Sequence, residues 1–62
     1  MEDIKQARAW WIVGAHHLSA SEWTQAREAF NHSARFAEDA DNPTECLLAR
    51  GFKALATKFE NP

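Results

Sequence analysis

Asp41-Asn42-Pro43-Thr44-Glu45 is the stretch that decides the fold. Asn42 carries a side-chain oxygen able to accept from an otherwise orphan backbone donor at a helix start. Pro43 follows at the first helical position, where a missing N–H does no harm. Glu45 stands three residues after Asn42, the spacing of a capping box. A helix therefore begins at Pro43. Towards the amino terminus the same pattern recurs as Ser19 with Glu22 and as Asp3 with Gln6. Leu18 and Trp23 flank the middle one at the positions of a hydrophobic staple. Three successive starts, with no alternating β-type run and no Gly-rich or Ser-rich linker, predict helices at about 3–18, 20–40 and 43–59. Their short links force antiparallel neighbours, so the expected fold class is all-α: a small three-helix bundle forming a single helical domain over residues 1–62.

Apolar spacing assigns each helix an inner face. The first carries Ile4, Ala7, Trp11, Gly14 and Leu18; the second carries Trp23, Ala26, Phe30, Ser33, Ala37 and Ala40, widened by Ala29 and Phe36. The third is expected to bury Leu48, Phe52, Leu55 and Phe59, with Gly51 weakening its middle by about 1 kcal/mol relative to alanine. Glu38 and Asp39 sit poorly against the negative end of the second helix, and Arg35 offsets part of that.

Trp10 and Trp11 are adjacent, so about 100° separates them on a helix and they cannot share one face. Trp11 belongs to the inner stripe, whereas Trp10 lies with Gln6, Val13 and His17. A chain this small then has bulky apolar groups pointing in two directions. The expected partner-binding surface is Trp10, Val13, His17 and Gln6, used for self-association as a homodimer or for another protein. The competing reading packs Trp10, Val13 and His17 inside the bundle. His17 would add mild pH sensitivity if its ring is desolvated in that surface.

Sixty-two residues lie near the lower limit for folding alone, and much of the apolar content is alanine. A marginal monomer that gains stability by docking or dimerising is expected. Cys46 is the single cysteine, so no intramolecular disulfide can form, and an intracellular, cytoplasmic setting is the simpler expectation. No secretory signal is visible, and no run reaches the roughly 20 apolar residues that span a bilayer, so no membrane role is expected. A net charge of −2 with scattered basic residues disfavours nucleic acid as a partner. The alternative function is a small dimeric DNA-binding regulator presenting Arg50, Lys53 and Lys58, opposed by Asp39, Asp41 and Glu45 near the approaching phosphates.

Across the first two helices, Trp10, Val13, Gly14 and His17, then Ala26, Phe30 and Ser33, follow a spacing that resembles a tetratricopeptide repeat over residues 7–40. The resemblance implies a helical hairpin in which Gly14 and Ala26 let the backbones approach, with Trp10 and Phe30 filling space around them. It also implies that Trp10 faces a neighbouring element such as the third helix, and that the function is protein–protein interaction. His17 stands where the family has another aromatic, Ser33 where it has alanine, and Glu38 where it has the helix-ending proline.

Residues that could carry chemistry are few. His16 and His17 diverge on a helix; Glu28 and His32 could share a face, but two ligands do not close a metal site. Cys46 lies in a first helical turn, which lowers a thiol pKa, yet Glu45 opposes this and no general base stands at a recognisable spacing. Glu38, Asp39, Asp41 and Glu45 read as a solvated acidic face. No enzymatic activity, metal or cofactor is expected. The expected function is a protein–protein interaction module, acting as an adaptor, regulator or assembly subunit.

Overall fold

A computed structural model describes residues 2–61, and the expected all-α, three-helix architecture is what it shows. Helix α1 spans Glu2–Ser19, α2 Trp23–Asp39 and α3 Pro43–Glu60. Among the described residues no helix is long and apolar enough to cross a membrane.

The start of α3 follows its local chemistry. Asn42 Oδ1 accepts from the Glu45 backbone N–H at 3.1 Å, with Pro43 opening the helix. The other two expected starts are corrected. Asp3 lies inside α1, which is already helical at Glu2. Ser19 does not cap α2; it ends α1, its hydroxyl donating to the His16 carbonyl at 2.8 Å. Glu22 occupies the cap position and makes no side-chain capping bond. Its carboxylate instead meets His17 Nδ1 at 2.8 Å. The staple positions dissolve with that shift: Leu18 packs against the cluster of Ala26, Phe30 and Ala56, and Trp23 stacks on Phe59 with ring centroids 4.8 Å apart.

Both links are built alike, 20 residues apart. Ser21 and Asp41 take left-handed backbone, with φ of 61° and 55°. The amides of Glu22 and Asn42 then donate to the carbonyls of His17 and Ala37, each at 2.9 Å. Asp tolerates this conformation well; Ser does so at a cost of roughly 1 kcal/mol.

Helix α2 packs against both neighbours, whereas α1 and α3, which run in the same direction, barely touch. The Cα envelope is correspondingly thin, 35 × 16 × 12 Å. Alanine makes the seams. Ala7, Ala34, Ala37, Cys46 and Ala49 form one buried cluster, and Ala26, Phe30 and Ala56 form the other. Small side chains let backbones approach closely, and Gly14 is the extreme case: a Cβ there would stand 2.8–2.9 Å from three ring atoms of Phe30. Ser33, also buried, donates to the Ala7 carbonyl at 2.6 Å and ties α2 to α1.

One aromatic group joins all three helices. Phe30 stacks on Phe52 at 5.4 Å, and Trp11 meets the edges of Phe30 and Phe52 at 6.2 and 5.5 Å. The expected inner face of α3 is corrected at three of its four residues. Phe52 packs against the core, but Leu48, Leu55 and Phe59 remain substantially exposed, and Cys46, Ala49 and Ala56 face α2 instead. Small-on-small contact with the alanine face of α2 rotates the leucines outward.

The far end of the bundle is tied by Glu60, which accepts from the Thr24 hydroxyl and from Arg27 Nε, the latter at 2.8 Å. These contacts, Thr24 first and then Arg27, hold the Glu60 carboxyl below its ordinary pKa. A depressed folded pKa contributes stability above the unfolded value and loses it as pH falls through the folded one. Thermal melts should therefore place Glu60→Gln below wild type near pH 7 and bring the two together as acid carries the pH below the lowered Glu60 pKa. An undiminished gap in acid would show that the carboxylate's charge does not matter.

Candidate functional site

The two flanks of α1 have different surroundings. Trp10, Gln6, Val13 and His17 lie on the flank away from α3. There Trp10 is half-buried, its ring 4.6 Å from that of His32 on α2 and tilted by 34°. It therefore faces α2, not the third helix. His17 is engaged with Glu22. Gln6 is exposed, and Val13 retains 39 % of its surface. Two of the four expected residues make contacts within the chain, and two face solvent.

The larger open apolar surface is on the other flank. Between α1 and α3, Trp11, Ile12 and Leu48 line a cleft of about 340 Å³. Its rim carries Arg8 and Glu45, whose Nε and Oε1 lie 3.5 Å apart. Ile12 is 64 % exposed and Leu48 48 %. The apolar surface continues round α3 through Leu55, Gly51 and Leu47, the last 70 % exposed. A sequence signal for this surface existed. Leu47 and Leu48 are adjacent apolar residues on one helix, the same geometry that makes Trp10 and Trp11 diverge.

Trp11 forms the floor of the cleft and brings an unsolved polar problem with it. Its Nε1 is buried and has no hydrogen-bond acceptor. A buried unsatisfied donor costs about 1–3 kcal/mol, which Trp11 offsets through its aromatic contacts with Phe30 and Phe52.

A second cleft, about 460 Å³, opens between α2 and α3 and is polar. One ion pair and one hydrogen bond to a neutral amide link its two walls. Arg50 donates to Glu38 at 2.8 Å, and Lys53 donates to Asn31 at 3.0 Å. These are two of the three α3 cations considered for DNA; Lys58 lies on the outer face of the helix. The acidic residues are likewise dispersed, Glu38 towards Arg50 and Glu45 towards Arg8. Cys46 is buried beside Ala49. Among the described residues no group of three or more His, Cys, Asp or Glu side chains is placed to hold a metal ion.

Comparisons with protein-family models, with curated proteins and with solved structures find no significant match.

Proposed function

We propose that the protein acts through protein–protein contact, as an adaptor, regulator or assembly subunit, and that the α1–α3 cleft is its contact surface. The observation that carries this reading is Ile12: an isoleucine 64 % exposed beside Leu48 in an open apolar cleft with a charged rim. Exposed apolar surface of this kind, rimmed by polar groups, characterises interaction sites. The geometry selects the type of ligand. Two helices running side by side, held apart by a third behind them, leave the fourth corner of a four-helix arrangement open. The apolar edge of an amphipathic helix fits that corner.

The test is a selection of displayed helical peptides on the wild-type protein, with Ile12→Glu and Trp10→Ala as comparisons. Burying a carboxylate in the cleft should weaken binding at least about tenfold, or about 1.4 kcal/mol, with helicity unchanged. Trp10→Ala should bind as wild type does. Failure to enrich any amphipathic helix counts against the function. Loss with Trp10→Ala but not with Ile12→Glu moves the surface to the Gln6–His17 flank.

A further inference from the structure

Resting on that reading, we infer that the exposed apolar face of α3 is occupied by a second copy of this chain, with the two α3 helices pairing antiparallel about a two-fold axis at Gly51. The starting point is a glycine that the isolated chain does not use. Gly51 sits in the middle of an 18-residue helix, where glycine is unfavourable by about 1 kcal/mol. Nothing lies within 4 Å of the position its Cβ would take. Gly14, by contrast, is needed by the ring of Phe30. The two glycines share a chemistry, but only one has its neighbour in place.

What surrounds Gly51 is self-complementary. Leu47 and Leu55 stand four residues to either side, exposed by 70 % and 38 %. Leu48 and Ala54 stand three residues to either side, and both are exposed. In an antiparallel pair centred on Gly51, Leu47 of one copy falls opposite Leu55 of the other, and Leu48 falls opposite Ala54. A two-fold axis requires this reciprocity. Glycine meeting glycine at the crossing lets the helix axes come nearer than the usual 8–10 Å, so the flanking leucines interlock across it.

Charge agrees with the same register. Lys58 makes no ion pair among the described residues. In the pair it lies opposite Thr44 of the second copy, at the helix start preceded by the exposed Asp41. The other α3 cations, Arg50 and Lys53, are held towards α2 by Glu38 and Asn31 and do not meet their own copies. Size is also adequate. A small specific interface removes about 500 Å² from each partner, roughly an eighth of this chain's 4208 Å² surface.

Sedimentation equilibrium of the full chain from about 5 to about 500 μM tests the pairing by mass action. Wild type should move from 7.0 kDa towards twice that mass as concentration rises. Gly51→Gln is the decisive variant because glutamine is the better helix former. Its helicity at low concentration should equal or exceed wild type, while its dimerisation weakens at least tenfold. Leu47→Gln, altering an exposed side chain, should weaken it similarly. A wild type that remains monomeric throughout, or a Gly51→Gln chain that dimerises as wild type does, overturns the inference. Dimers dissolved by Ile12→Glu but not by Gly51→Gln would place self-association on α1 instead. Ile12-dependent peptide binding by a permanent monomer would leave the contact function standing and remove this pairing alone.

Discussion

Phe30→Ala should leave the chain largely unfolded at 25 °C in the absence of denaturant. Phe30 is the bulkiest of the fully buried side chains, and it is the ring on which Gly14, Trp11 and Phe52 converge. Truncating a buried phenylalanine to alanine costs about 3–5 kcal/mol. A single core in a chain of this size rarely supplies more than about 3–5 kcal/mol in total. The two magnitudes meet, so the substitution consumes the whole stability of the domain. Loss of most helical circular dichroism is the expected readout. A cooperative urea transition weakened by less than about 1 kcal/mol would show instead that the alanine seams hold the helices without their aromatic centre.

The second large effect comes from the opposite change at the same contact. Gly14→Leu places a side chain where even a Cβ would come within 2.8 Å of the Phe30 ring. Alanine there gains up to about 1 kcal/mol of helix propensity against an overpacking cost of about 1–3 kcal/mol. Leucine adds several more atoms to the same collision, and Phe30 has no solvent side into which to retreat. Gly14→Leu is therefore expected to fail to fold, and Gly14→Ala to be mildly destabilised. The mechanism can be separated from general damage by combining Gly14→Ala with Phe30→Leu. If the clash is the cause, the double variant should be more stable than the sum of the single effects by about 1 kcal/mol, measured by urea unfolding. Additive costs would refute it.

Local chemistry was legible in the sequence wherever a few neighbouring residues settle the outcome. Asn42 and Pro43 start α3 because cap, ring and first turn are all contiguous. Ser19 and Glu22 have the same spacing but fail, because the turn that follows α1 needs Ser21 in left-handed backbone before the next helix can begin. Packing was less legible. Reading the largest residues of α3 as its inner face overlooks that α2 offers it alanines, against which Cys46, Ala49 and Ala56 sit closer than leucines could. The candidate surface depended on an equally distant fact. His32, on another helix, packs against the Trp10 ring, while the few contacts between α1 and α3 leave the Ile12 flank open. Two adjacent tryptophans announce that one ring leaves the core; they do not say which side finds a neighbour.

The paired corners at Ser21 and Asp41 have a consequence for how the molecule could be extended. Because each reverses the chain with matching bonds after a rod of nearly equal length, the architecture is additive. Grafting a third such corner and another rod after α3 would lengthen the stack by one layer without disturbing those already laid, and the newcomer would lie against α3. Pieces joined in this way bond chiefly to their immediate neighbours. An engineered chain of four or more rods should then gain melting temperature with each addition, as the outermost greasy side is covered and re-created one step further on.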